Sequence, residues 1–316
     1  MKKFVLAGIL AVIFISGCVD SDLFQGLIGG EGPETTELPP DIIVIQNTNI
    51  IPTPPIDAED QFSISFEVKN QDDLKEVENV KIQLYDYGLC EPRFLEEGET
   101  TYTEDIGTLY PGQTEFIEWE FQAPSNDQMV YLSVKCPIRY KVSYDFTTYS
   151  QIDVDVISPE ELKRLQRTGE TPTFTPTQTI GRGPLKIYFD FGSSMPIRAS
   201  NYSEKNYTLP IYITVEDKGS GIYGNIPKDA LSFSIPSDFV VSKCDKFRYD
   251  EDSGLYFNNK EIPMIKKKTP QIRCSFITPS VDNVVVEKTY FLTANISYTY
   301  DLNQENEIKV EPTLGV

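Results

Sequence analysis

Five cysteines and a complete absence of histidine decide what chemistry this chain can do. Cys18 stands near the start, and Cys90, Cys136, Cys244 and Cys274 are spread through the remainder. None lies in a Cys-x-x-Cys spacing, and no histidine is present to complete a tetrahedral set, so a zinc site is not expected. The missing histidine also removes the commonest general base and the side chain that switches charge near neutral pH. Carboxylates are abundant, but no two are singled out as an acid–base couple. Gly219-Ser220-Gly221 lacks the Gly-x-Ser-x-Gly spacing of a nucleophile elbow. Asp250-Glu251-Asp252-Ser253-Gly254 offers hard oxygen ligands, yet it misses the spacing of a calcium loop and reads as a hairpin turn between Phe247, Tyr249 and Leu255, Phe257. The expectation is a protein that is not an enzyme and uses no metal or cofactor. The even set Cys90, Cys136, Cys244 and Cys274 reads as disulfides of an oxidising compartment. Three pairings are open, of which Cys90–Cys136 with Cys244–Cys274 closes the shorter loops.

The reading of the compartment comes from the start of the chain. Met1-Lys2-Lys3 is basic, Phe4 to Ile15 is almost wholly apolar, and Ile15-Ser16-Gly17-Cys18 has the pattern of a lipobox. The apolar run falls short of the ~20 residues a spanning helix needs. Residues 1–17 therefore read as a signal peptide, ending at a cysteine that becomes the new N-terminus and the lipid attachment point. Lipoproteins as a class carry a diacylglyceryl group on this cysteine, and the resemblance implies one on Cys18. Val19 follows, so no aspartate-type inner-membrane retention signal is present. The expected location is the extracytoplasmic face of the membrane, with the membrane as partner through Cys18. The formal charge of −20, which becomes −22 once Lys2 and Lys3 are removed, argues against nucleic acid as a partner.

Stepping along the mature chain, two halves resemble each other. Trp119-Glu120-Phe121-Gln122-Ala123-Pro124-Ser125 matches Cys274-Ser275-Phe276-Ile277-Thr278-Pro279-Ser280 at an offset of 155 (276 − 121), and Val142-Ser143-Tyr144-Asp145-Phe146 matches Ile296-Ser297-Tyr298-Thr299-Tyr300 at 154 (297 − 143). Phe66 and Val68 correspond to Ile213 and Val215, and Cys90 to Cys244. Such a length is a duplicated domain, since solenoid units run 20–50 residues. Cys136 falls opposite Phe291 and Cys274 opposite Trp119, so each half is expected to tie one homologous strand to a different neighbour, with Trp119 filling the place of a bridge.

The local pattern is β throughout. Phe62, Ile64, Phe66 and Val68 alternate with polar residues, as do Val80, Ile82 and Leu84, then Ile117, Trp119 and Phe121, then Val130, Leu132 and Val134. Turn chemistry at Pro111-Gly112, Pro124-Ser125-Asn126-Asp127 and Lys218-Gly219-Ser220-Gly221 separates the runs. The expected fold is all-β: two tandem Ig-like β-sandwiches at 41–157 and 184–316. A short helix and a Thr/Pro linker join them over 158–183. Ser158-Pro159-Glu160-Glu161 has a cap, Pro at the first position and Glu three on, and Thr171-Pro172-Thr173-Phe174-Thr175-Pro176-Thr177 is an extended spacer. Residues 18–40 are read as a lipid-anchored tether holding the first sandwich off the bilayer.

Phe66-Glu67-Val68-Lys69-Asn70, Glu78-Asn79-Val80-Lys81-Ile82-Gln83-Leu84 and Leu109-Tyr110-Pro111-Gly112-Gln113-Thr114 together resemble the CARDB-type Ig-like domains of archaeal and bacterial surface and S-layer-associated proteins. Val215-Glu216-Asp217-Lys218-Gly219-Ser220-Gly221-Ile222 is similar to a turn of other prokaryotic Ig-like modules. In the second half Lys266-Lys267-Lys268-Thr269 departs from the Pro-Gly turn and reads as a solvated basic edge. The resemblance implies an extracellular sandwich used for adhesion, spacing or assembly, and brings no catalytic residues. Asn201, Asn206 and Asn295 head N-glycosylation sequons, with Asn295 inside a predicted strand. The functional expectation is a non-enzymatic, lipid-anchored cell-envelope protein whose tandem domains bind a surface protein or glycan or serve structural assembly. The alternative is an accessory or solute-capturing subunit of a membrane transport or secretion complex.

Overall fold

The computed structural model describes residues 34–313 except positions 97, 171, 173, 193 and 194. The expected signal peptide, Cys18 and the tether up to position 33 lie outside the described residues. Among those described, the fold is all-β and sandwich-like, with a single short helix, α1 (Pro159–Thr168). Its start follows the sequence: the Ser158 hydroxyl accepts from the Glu161 amide at 3.2 Å, and Gly169 at φ 75° closes the last turn. No helix among the described residues is long and apolar enough to cross a membrane.

In the first half, β2 (Ile43–Ile51), β4 (Gln61–Asn70), β8 (Thr114–Gln122) and β6 (Glu91–Pro92) form one sheet in that order. Facing it, β7 (Tyr102–Leu109) pairs with β5 (Val77–Asp86), and β5 with the long β9 (Val134–Ile157). In the second half, β11 (Leu185–Phe191), β13 (Thr208–Asp217), β18 (Ile272–Ile277) and β15 (Val240–Lys243) repeat the first sheet. Opposite them run β16 (Phe247–Asp250), β17 (Leu255–Asn258), β14 (Leu231–Ser234) and the long β19 (Glu287–Glu311). The facing sheets meet through aromatic rings. Phe66 of β4 stacks on Tyr140 of β9 with centroids 4.4 Å apart, and Trp119 of β8 meets both edge-on at 5.1 and 5.2 Å. In the second half Phe233 of β14 meets Phe276 of β18 edge-on at 6.2 Å.

The halves are joined through their longest strands. β9 and β19 run antiparallel in unbroken register from Val134↔Val310 to Ile157↔Glu287. Every even-numbered residue of β9 from Cys136 to Val156 is buried, as is every even-numbered residue of β19 from Tyr290 to Leu302. Period-two burial held over such a length puts one face of the ribbon into the core of both halves. Pro33–Val316 forms one compact unit. The register also places Asp145 opposite Thr299, its own counterpart in the repeat (299 − 145 = 154). A local two-fold axis therefore passes through that pair, exchanging the two halves.

Three local expectations are altered. Val130 and Leu132 are not strand residues. They lie in a turn, 73% and 67% exposed, with Val130 and Tyr131 at φ 52° and 57°. The Thr/Pro stretch ends in a strand, β10 (Thr177–Ile180), which pairs with β9 where β5 no longer covers its edge. The end of the tether is likewise a strand: β1 (Glu34–Glu37) pairs in parallel with β10. Small strands close two further edges, β3 (Ile56–Asp57) on β19 and β12 (Ile197–Arg198) on β9.

Candidate functional site

The signature residues of the sequence fall at the sandwich turns. Asn70, which ends β4, is fully buried; its amide donates to the Lys75 and Leu109 carbonyls at 2.9 and 3.0 Å and its oxygen accepts from the Asp72 amide at 2.9 Å. One side chain thus satisfies three backbone groups where the chain leaves the sheet. Pro111 and Gly112 (φ 72°) form the expected tight turn, closed by the Gln113 amide donating to the Tyr110 carbonyl at 3.0 Å.

In the second half Asp217 ends β13 as Asn70 ends β4. It accepts from the Tyr300 hydroxyl at 2.9 Å and the Gly219 amide at 3.0 Å. Burial raises its carboxyl pKa from the ordinary value, against the pull of those hydrogen bonds and of Lys267. The Asp217–Gly221 turn packs so closely that a Cβ on Gly219 would meet the Tyr300 hydroxyl at 2.5 Å. Its role is packing. The lysine cluster corrects one expectation, because Lys267 is not simply solvated. Its ammonium donates to the Gly219 carbonyl at 2.9 Å and lies 3.7 Å from Asp217, and Lys266 and Lys267 both take positive φ to bring it there.

The cysteines pair as Cys90–Cys136 and Cys244–Cys274. The first bridge crosses from the β6 side to β9. The second stays within one sheet, joining the residue after β15 to β18. Ile64 pairs with Trp119 and Ile211 with Cys274, so Trp119 and Cys274 occupy one position of the repeat. Among the sequons, Asn206 is exposed, and Asn201 is half-buried with its oxygen accepting from the Ser203 hydroxyl at 2.7 Å. Asn295 is half-buried within β19, paired on both sides. Asp250 turns the β16–β17 hairpin and accepts from the Ser253 hydroxyl at 2.6 Å, which lowers its carboxyl pKa. Among the described residues no group of three or more acidic, Cys or His side chains is placed to hold a metal ion.

Two features escaped sequence reasoning. Lys186, in an apolar stretch, is fully buried; its ammonium donates to the Leu38 and Gly181 carbonyls at 2.5 and 3.0 Å and lies 4.0 Å from Glu37. Glu37 also accepts from the Tyr188 hydroxyl at 2.9 Å. The cover is β1, remote in sequence, so no local pattern could have placed Lys186 inside.

The second is a cleft of about 910 Å³ on the local two-fold axis. The first half contributes Leu74, Lys75, Glu76 and Glu78 together with Pro111; the second contributes Tyr223, Asn225 and Pro227. Between them lie Asp145, Phe146 and Thr147 of β9 with Ser297, Tyr298 and Thr299 of β19. Asp145 accepts from the Thr299 hydroxyl at 2.5 Å and the Asn79 amide at 2.7 Å, and the Thr147 and Ser297 hydroxyls are bonded at 2.8 Å. Lys75 holds its ammonium 5.6 Å from the Phe146 ring centre. The side chains of Glu76 and Glu78 make no hydrogen bond or ion pair among the described residues. Among the described residues the Tyr223 hydroxyl is buried without a partner, and burial pushes its pKa up to about 12.

No family model matches the chain, and no curated protein sequence matches it. Among solved structures it aligns with a red sea bream transglutaminase at 11% identity and a TM-score of 0.19, covering 85% of this chain and 31% of that one. It also aligns with the B domain of a biofilm associated protein at 7% identity and a TM-score of 0.18, over 90% of this chain and 88% of the other. The chain spans under a third of the transglutaminase. Similarities this weak carry no functional argument, and the cleft has to be read from its own chemistry.

Proposed function

We propose that this is an exported, lipid-anchored protein of a prokaryotic cell envelope, non-enzymatic, whose paired Ig-like sandwiches of CARDB type hold a partner in the axial cleft. The observation that carries the reading is the cleft itself. Both halves of the repeat contribute to it, and among the described residues two of its carboxylates, Glu76 and Glu78, and the buried Tyr223 hydroxyl have no side-chain partner. The two disulfides fit an oxidising exterior. The lipobox pattern at Cys18 supports attachment at the membrane, since two acyl chains are enough for stable anchoring. In this reading the sandwiches are a rigid frame and recognition sits at their junction, where loops from two duplicated units meet.

Membrane extraction tests the anchor. The wild-type protein should require detergent for release, and Cys18→Ser should move it to the wash. Recovery of both in a high-salt wash would refute attachment. Cross-linking from a photoreactive side chain at Leu74, which is 89% exposed at the cleft, tests the binding role in intact cells. An adduct to a defined envelope component is expected, and the absence of any adduct counts against the role.

A further inference from the structure

We infer that the axial cleft takes a cationic side chain, a lysine or arginine carried on an extended segment of a partner protein. The inference rests on the reading of the cleft as a binding site and specifies its ligand. Three carboxylates, Glu76, Glu78 and Asp145, line it against one cation, Lys75. Asp145 is already engaged by Thr299 and Asn79, whereas Glu76 and Glu78 are exposed and unengaged. An incoming ammonium or guanidinium would supply the missing charge, the usual basis of complementarity between surfaces. The one cation of the cleft, Lys75, turns its ammonium to the Phe146 ring at 5.6 Å and the Thr147 carbonyl at 3.5 Å, and so leaves Glu76 and Glu78 uncompensated. Exposed Leu74 offers apolar surface to the methylene stem of a long basic side chain. A glycan is disfavoured by the same geometry. Stacking on a sugar needs an open ring face, and Phe146 and Tyr298 are each only 6% exposed.

The test is NMR titration of the intact mature protein with three probes: acetyl-triarginine amide, acetyl-triglutamate amide and maltotriose. Triarginine should shift the signals of 74–78, 145–147, 223–227 and 297–299, and triglutamate should not. Glu76→Gln with Glu78→Gln should weaken triarginine about ten-fold or more. The matched control, Glu251→Gln with Asp252→Asn in the β16–β17 turn, changes the net charge equally and should leave affinity within about two-fold. Equal weakening by both pairs would overturn the inference, because attraction would then follow the overall acidity of the chain. Shifts at the cleft with maltotriose but not triarginine would overturn the cationic assignment while leaving the cleft a binding site. A cleft silent to every probe would overturn both readings.

Discussion

Asp145 and Thr299 face each other across the β9–β19 ladder, joined by a 2.5 Å hydrogen bond, and they are the same position in two copies of one duplicated unit. The duplication thus closes on itself. The pair where the two-fold axis crosses the sheet also lines the axial cleft. Asp145→Ala removes the acceptor for both Thr299 and Asn79, and unfolding in urea should report a loss of about 1–2 kcal/mol. An unchanged midpoint would mean that water replaces these bonds at no cost.

The two bridges should differ in worth. Cys90–Cys136 spans 46 residues and Cys244–Cys274 spans 30. On the chain-entropy account the first contributes about 4 kcal/mol and the second about 3.6 kcal/mol, less any native strain. Paired Cys→Ala variants, compared by denaturant midpoint, should both be destabilised. A second-bridge variant as stable as the parent would show that the edge of that sheet holds without it.

Asn70→Ala should cost more than a surface change, about 2–3 kcal/mol, because it strands the Lys75 and Leu109 carbonyls and the Asp72 amide. Asn70→Asp separates size from chemistry. It keeps the acceptor for Asp72 but loses the donor to the carbonyls, so it too should be destabilised in thermal melts. Wild-type stability in that variant would discount the amide's role.

Alkaline pH should unfold the protein through its tyrosines. Burial pushes Tyr140 and Tyr223 up to about 12 and also raises Tyr144, Tyr298 and Tyr300 well above the ordinary phenol value. Above pH 10 the unfolded chain has released these protons while the folded chain still holds them, so stability present at lower pH is lost as pH climbs. Absorbance of phenolate should rise in two stages, exposed rings first and the buried group together with loss of structure. A single smooth titration near 10 for all 18 tyrosines would contradict this.

Lys186 works in the opposite sense and in an earlier window. Burial lowers it to about 8, with Glu37 pulling it back up. Between about 8 and 10.5 the unfolded chain binds a proton that the folded chain has given up, so stability should increase with pH until the tyrosines intervene. Urea midpoints collected from pH 7 to 9.5 should climb in the wild type and stay flat in Lys186→Met. A parallel rise in both would assign the effect elsewhere.

Much of the frame was legible from residues alone. The alternation at Phe62–Val68 and Ile117–Phe121 became β4 and β8, and the repeat offset put Trp119 and Cys274 at one position. Val130 and Leu132 misled because alternation ran on into a turn, where backbone hydrogen bonds from Met129, Val130, Tyr131 and Leu132 back to Ser125, Asp127, Asn126 and Met129 set the conformation. The cleft was not legible. Its residues come from both halves, and only the register of β9 against β19 brings them together. Glu76 and Glu78 are two of 48 acidic residues, and nothing in their local sequence marks their side chains as unpartnered.

The length of β9 and β19 carries a consequence for anyone wishing to divide this molecule. Each long strand begins in its own copy and finishes across the axis, so scissors placed at position 158 would leave the apolar rungs Ile152, Val154 and Val156 without their cover from the other copy. The fragments would present sticky, half-dressed ribbons instead of two tidy modules. One continuous ladder fuses the two halves, so neither can be removed without baring an apolar edge on the other.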